Sequence, residues 1–322
     1  MAAEGRTDGP DGGQLLHGLT IVGSVDLGGA PAPAGRPADF GVVVTPSGPV
    51  PHDELPGDRV AELDIPGTKY EAALEGQRLR VRFHDTAEFD IDLDSGAIVA
   101  APAPGREGMI PVLLGGSVLA LILGLKGAPV LHASVVTAGD SAIAITGPSG
   151  AGKSTLAFLL CGLGMRLLTD DTARVAREGS GWQVHRGGTT LRLRGPAAEV
   201  ADRPGWSHYE TVDGRTAVRP PSAPEALSAL GAILVPHWSE SIDAPTASPL
   251  GQRDLTAALL RSQRVSGWRA PGPLETNFQC CADIPRAVPA FRLDVPRGKL
   301  DDPGLPGAIS AALAAAVGGE TA

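Results

Sequence analysis

Lysine is scarce in this chain, with four (Lys69, Lys126, Lys153 and Lys299) against 23 arginines in 322 residues. Positive charge as a whole is in deficit, since 36 acidic residues against 27 basic ones leave a formal net charge of −9. A nucleic-acid footprint needs a basic face, so this balance argues against such a partner. Cysteine is equally sparse. Cys280 and Cys281 are neighbours and poor disulfide partners, Cys161 stands alone, and no CxxC pair offers a zinc site. An odd count without recurring spacing fits a reducing compartment, so a cytoplasmic location is expected. The first dozen residues lack the apolar core of a signal peptide, and residues 1–14 read as a frayed tail. Long apolar runs are missing as well. The strongest, residues 110–125 (IPVLLGGSVLALILGL), falls short of the roughly 20 residues that span a bilayer. Pro111 opens it and Lys126-Gly127 close it, which predicts a buried helix and no membrane partner.

What remains, 43% hydrophobic and 20% charged residues, is a globular composition long enough for one large domain or two modest ones. Residues 15–108 favour strands, at 19–25, 40–45, 79–83 and 91–100, separated by Gly, Pro and Asp clusters. This part reads as a β-rich N-terminal domain, and residues 109–322 as a second, catalytic domain. In the second part 130–137 (VLHASVVT) and 141–146 (SAIAIT) predict a hairpin running straight into Gly147. Leu156, Leu159, Leu160 and Leu163 then fall at i, i+3, i+4 and i+7, which predicts an amphipathic helix with Gly164 as its stop. A strand at 165–169 delivers Asp170-Asp171. Beyond these, 182–194 predicts two strands turning at Gly187-Gly188. A core segment is expected at 226–235, a helix at 255–264, a strand at 290–295 and a terminal helix at 305–317.

The run Gly147-Pro148-Ser149-Gly150-Ala151-Gly152-Lys153-Ser154 matches G-x-x-x-x-G-K-[ST] in full. Its glycines let successive N–H groups turn inward on phosphate oxygens, and the helix that follows adds its positive end. Lys153 offers a point charge to the β and γ phosphates, the Ser154 hydroxyl a ligand for Mg²⁺, and Thr155 continues the first turn. The candidate nucleotide set is therefore Gly147, Ser149, Gly150, Ala151, Gly152, Lys153, Ser154 and Thr155, with ATP and Mg²⁺ as cofactors. Asp170 and Asp171 lie 16 and 17 residues past Ser154, one helix and one strand later, a path that returns them beside the phosphates. One could hold Mg²⁺ while the other accepts a proton from an attacking hydroxyl, although a solvated acidic turn has the same sequence. His132, 21 residues before Lys153, reads by residue type alone as a core histidine more readily than as a catalytic one.

LHASVV, GPSGAGKSTLA and LLTDD, with their spacings, resemble the catalytic domain of the HPr kinase/phosphorylase family. The chain is more similar still to the HPr-kinase-like proteins found with peptide natural-product maturation genes, lasso-peptide kinases among them. That resemblance covers residues 110–175. It implies an α/β fold, with a P-loop kinase core of the HPr kinase/phosphoenolpyruvate carboxykinase type, beside the β-rich N-terminal domain. It also implies Asp171 as proton acceptor, His132 near the transferred phosphate, Asp170 and Ser154 on the metal, and assembly into homo-oligomers. The expected reaction moves the ATP γ-phosphate to a hydroxyl, a serine of a peptide or small protein such as a lasso precursor. A small-molecule alcohol as acceptor, and a nucleotide-binding regulatory or peptide-presenting module without turnover, stay open. The family's metal-binding glutamate, in an "EIRG"-like segment, is replaced here by Arg192, and its basic C-terminal signature is not recognisable. Both departures speak against HPr as substrate and against the reverse, phosphorylase reaction.

Overall fold

The structure, a computed structural model, describes residues 13–318, so the predicted tail lies outside it save for Gly13 and Gln14. Contacts divide the chain into two units. One holds residues up to Ala128 together with Arg264–Thr276, and the other holds Pro129–Gln263 and Asn277 onward. This corrects the single boundary expected at 108/109. Residues 109–128 belong with the N-terminal unit, and the chain returns to that unit once more before its last helices.

The N-terminal unit is a nine-stranded sheet. Its strands are β1 (Gln14–Leu16), β2 (Leu19–Gly23), β3 (Ala30–Pro31), β4 (Phe40–Val44), β5 (Asp58–Ile65), β6 (Thr68–Glu75), β7 (Arg78–Phe83), β8 (Ala87–Asp92) and β9 (Ala97–Pro102). They lie in the order β3-β1-β2-β4-β9-β8-β7-β6-β5. Gln14 is already inside β1, its amide buried and donating to Val25 O at 2.6 Å. The single strand expected at 91–100 is the end of β8, a turn and β9. The apolar run folds as the expected helix, α1 (Ile110–Leu113) and α2 (Leu119–Leu125) joined by a π-type turn over Leu114–Val118. Glu107–Leu125 is long and apolar enough, at 19 residues and mean hydropathy 2.2, to pass for a membrane span. In this unit Leu114 and the side chains from Val118 to Leu123 are buried.

Residues 266–270 cover the outer edge of this sheet. Glu62 N donates to Gly267 O at 2.9 Å and Arg269 N to Val60 O at 2.8 Å, while the Tyr70 hydroxyl donates to Ser266 O. Gly267 sits at φ +77°, and a Cβ there would lie 1.8 Å from Glu62 O, so the approach requires glycine.

The second unit is built on a mixed sheet flanked by helices. Its central strands are β10 (Val130–Leu131), β11 (Ala133–Ala138), β12 (Ser141–Thr146), β13 (Arg166–Thr169), β14 (Ala173–Glu178) and β15 (Gly181–His185). A small separate sheet holds β16 (Leu191–Leu193), β17 (Ser207–Glu210) and β18 (Thr216–Arg219). The long β19 (Leu227–Ser239) returns to the main sheet, with β20 (Thr246–Pro249) and β21 (Ala290–Pro296) at its side. The helices are α3 (Lys153–Cys161), α4 (Pro196–Glu199), α5 (Gln252–Arg261), α6 (Pro271–Ala287, which begins in the N-terminal unit) and α7 (Leu305–Gly318).

Strand alternation sorts the core into two layers, because successive side chains point to opposite faces. Val135, Ala144, Leu168 and Ile233 pack with Leu255 and Leu259 of α5 and Ile284 of α6. Their neighbours Val136, Ile145, Leu167 and Leu234 pack with α3, with Leu191 and Val218 of the small sheet, and with Ile309 of α7. α3 is thus covered on every side, not amphipathic as its leucine spacing predicts. Leu156 through Cys161 are all buried, because the small sheet covers the face that would otherwise meet water. The helix also stops at Cys161, leaving Leu163 in the turn before Gly164, whose φ of +94° ends it. The two strands expected at 182–194 are β15 and β16, which pair in different sheets rather than with each other.

Candidate functional site

Topology gathers the singled-out residues at one sheet edge. β11 lies between β12 and β13 and is antiparallel to both. The C-terminal ends of β12 and β13 therefore emerge together, at the edge where β11 begins. β12 ends there in the glycine loop, β13 in Asp170-Asp171, and His132 stands immediately before β11. β19 runs parallel to β12 and carries Trp238 to the same edge.

The loop 147–152 rises from β12 and closes into α3, with Leu156 N donating to Gly152 O at 2.9 Å as the first helical bond. Gly152 holds φ +78°, and a Cβ there would sit 2.2 Å from Trp238 Nε1. That indole N–H donates to Ala151 O at 3.1 Å, so the loop rests on the edge of a tryptophan ring. Ser149 and Gly150 at the tip are exposed, while Ala151, Ser154 and Thr155 are half-buried. Lys153 is 6% exposed and curls back, donating Nζ to Gly147 O at 2.9 Å and Pro148 O at 3.1 Å.

Asp170 is the hub. Ser134 Oγ donates to its Oδ1 at 2.5 Å, and Ser154 Oγ lies 3.1 Å from both carboxylate oxygens. Its N–H donates to Gly188 O at 3.0 Å, which ties the end of β13 to the following loop. Burial, and after it the charge of Asp171, push the Asp170 carboxyl above the usual carboxylate range, against the pull of the two hydroxyls and Lys153. Asp171 turns the other way. It adopts φ +68°, a left-handed conformation that aspartate tolerates better than most residues, and its side chain is 39% exposed. His132 Nε2 lies 3.3 Å from Asp171 Oδ1. The histidine breaks the strand expected over 130–137 in two. β10 before it pairs with β14, β11 after it pairs with β12 and β13, and its own N–H donates to Ser262 O at 3.3 Å.

No family model matches this chain, and no curated protein sequence matches it. One solved structure similar to it is the HPr(Ser) kinase/phosphatase from Coxiella burnetii. The likeness, 12% identical over 60% of this chain and 99% of that one, has a TM-score of 0.32. At that distance it decides nothing about what the chain does.

Two residues join the site without any earlier role. Ser134 had a signal in the sequence, because in the strand expected over 130–137 it falls two positions after His132, on the same face. Trp238 had none, standing 87 positions from the carbonyl it binds. No cluster of three or more His, Cys, Asp and Glu side chains forms a metal cage among the described residues. A hydroxyl and one carboxylate are the modest, all-oxygen protein share that Mg²⁺ takes when phosphates and water complete its shell. Asp170 fits that share: its buried carboxylate is held by two hydroxyls, and a cation would favour its charged form.

Proposed function

We propose that the chain is an ATP-dependent kinase of the HPr-kinase-like type that moves the γ-phosphate to a serine hydroxyl of a peptide or small protein. The observation that carries this reading is the pair of unlike carboxylates beside the glycine loop. Asp170 is bonded to Ser154 in the first turn of α3, while Asp171 is turned outward against His132. One is suited to a cation, the other to a proton.

In this mechanism the loop N–H groups from Gly147 to Ser154 receive the β phosphate at the positive end of α3. Lys153 exchanges its two loop carbonyls for phosphate oxygens, which replaces neutral acceptors by charged ones. Ser154 and Asp170 would hold Mg²⁺, whose chemistry is to neutralise the oxygens of the β and γ phosphates. Asp171 takes the proton of the serine hydroxyl, and His132 fixes the rotamer of that carboxylate. The serine oxygen bonds to the γ-phosphorus as the bond to the bridging oxygen breaks, and ADP leaves. A cytoplasmic, homo-oligomeric enzyme remains the expectation.

The test is mass spectrometry of serine-containing peptides incubated with the chain, ATP and Mg²⁺, together with an assay of ATP consumption. A gain of one phosphoryl group, with ATP consumed only when the peptide is present, is expected. ATP bound but never consumed would replace the kinase by a nucleotide-binding module without turnover.

A further inference from the structure

The small sheet of the second unit has two unlike faces. Partner residues on antiparallel strands share a face, so the register sorts its side chains. Leu191 pairs with Val218, and both pack against α3. On the opposite face Arg192 pairs with Ala217, Tyr209 with the same Ala217, and Ser207 with Arg219. The Arg219 guanidinium sits 5.9 Å from the Tyr209 ring centroid, as that register requires. Arg215, in the turn leading into β18, completes the group: it and Arg192 both pair with the single carboxylate of Asp213. Arg194 follows two residues after Arg192, is exposed, and has no carboxylate partner among the described residues. The Arg192 Nε is buried without a hydrogen-bond partner, while the Arg215 Nε lies 3.1 Å from Asp213 Oδ2. Four arginines thus gather on and beside a few short strands of a chain whose net charge is −9.

This group stands near the candidate site. Burial, and then the charges of Arg192 and Arg194, lower the Arg215 pKa, while Asp213 and Asp171 act in the opposite sense. The carboxylate assigned as proton acceptor is therefore within electrostatic reach of Arg215. A chain with a net negative charge, presenting negative phosphates at its loop, would otherwise repel an anionic acceptor.

We propose that the arginine face of β16, β18 and β17 is the docking site for an acidic acceptor peptide, whose carboxylates it holds so that a serine reaches Asp171. The word acceptor rests on the kinase reading; the binding of an acidic peptide does not. A polynucleotide is the less suited polyanion. The strands are only three and four residues long, Tyr209 is the one aromatic ring that the register places on this face, and the rest of the chain is acidic.

The test uses the full chain without nucleotide and reads fluorescence anisotropy of a labelled serine-centred peptide flanked by glutamates. Its glutamine counterpart and a single-stranded oligonucleotide serve as competitors. The glutamate peptide should bind, lose affinity as salt rises, and resist competition by the glutamine peptide. Arg194→Glu should weaken it by about 10-fold, since reversal removes an attraction and adds a repulsion. Arg219→Gln gives a second, milder loss, and melting curves of both variants check that they fold. Equal affinity for the two peptides, unchanged binding in both variants, or stronger binding of the oligonucleotide would each overturn the proposal. Adding Mg²⁺ and ATP to the bound glutamate peptide separates the two readings. Binding without phosphoryl transfer defeats the kinase reading and leaves the docking site standing, whereas transfer to the glutamine peptide at an equal rate defeats the docking site alone.

Discussion

Replacing Gly152 by alanine measures how firmly the glycine loop is seated. The residue holds φ +78°, and a left-handed backbone costs a non-glycine residue about 1–2 kcal/mol. The new Cβ would also lie 2.2 Å from Trp238 Nε1 and 2.8 Å from its Cε2, so the indole must retreat by about 1 Å to reach van der Waals contact. Retreat lengthens the 3.1 Å bond to Ala151 O beyond use, and a lost hydrogen bond costs about 1 kcal/mol more. The sum is about 2–3 kcal/mol, which for a unit of this size lowers the melting temperature by roughly 5–10 °C. Calorimetric melts, with Mg²⁺-ATP titrations on the same samples, read both consequences, and the nucleotide affinity should fall with the stability. Trp238→Ala supplies the control. With the indole gone the added methyl meets open space, so the double variant should be less damaged than the two single losses combined, by about 1 kcal/mol. Strict additivity, or a Gly152→Ala protein that melts and binds as the parent does, would refute the claim that the ring supports the loop.

Four shorter predictions follow from the same edge. Lys153→Ala removes the buried cation from the loop and should cut phosphoryl transfer by about 10²–10³-fold, with nucleotide affinity falling too; parent-like values in both assays would discard the loop assignment. Asp171→Asn should lose about 10²–10⁴-fold in single-turnover transfer yet bind Mg²⁺-ATP within a few-fold of parent, whereas Asp170→Asn should shift activity to higher Mg²⁺; the reverse pattern would exchange their roles. Asp170 has its folded-state pKa raised by burial, so its contribution to stability is complete below the ordinary carboxylate pKa and is lost as pH rises through the raised value. Metal-free Asp170→Asn should accordingly melt above the parent at neutral pH and match it in acid; equal melting at both pH values contradicts the assignment. Finally, on the proposed HPr-kinase-like reading, in which Arg192 takes the place of a metal-binding glutamate, phosphorylated peptide given excess inorganic phosphate and Mg²⁺ should not return its free hydroxyl quickly; rapid release with pyrophosphate would oppose this.

Local signals made the strand–loop–helix at 141–161 and the Asp-Asp strand end legible, because glycine spacing and apolar periodicity act over neighbours. The same logic failed where partners are remote. α6 carries Pro271, Pro273 and Pro285, and no helix reading survives that composition until packing of Ile284 and the two cysteines is known. β14 and the small sheet are short, polar-faced strands whose pairing comes from elsewhere in the chain. The amphipathic reading of α3 erred for a related reason. Leucine spacing reports one buried face, and it cannot report that residues 191–218 return to bury the other. His132 and Asp171 were legible as residue types with the right spacing, but their 3.3 Å approach required the strand break that only the two pairings of β10 and β11 create.

The strap of residues 266–270 along β5 bears on the order in which the protein is made. Until the ribosome has added some 140 residues beyond Ala128, the N-terminal sheet lacks its outer ladder partner and the Trp268 ring that packs on Gly124. An edge strand with bare N–H and C=O groups is a template for pairing with another chain. The nascent N-terminal unit therefore passes through a long interval in which its β5 edge is open to misassembly, and a ribosome stalled before Arg264 would release a fragment that cannot close its own sheet.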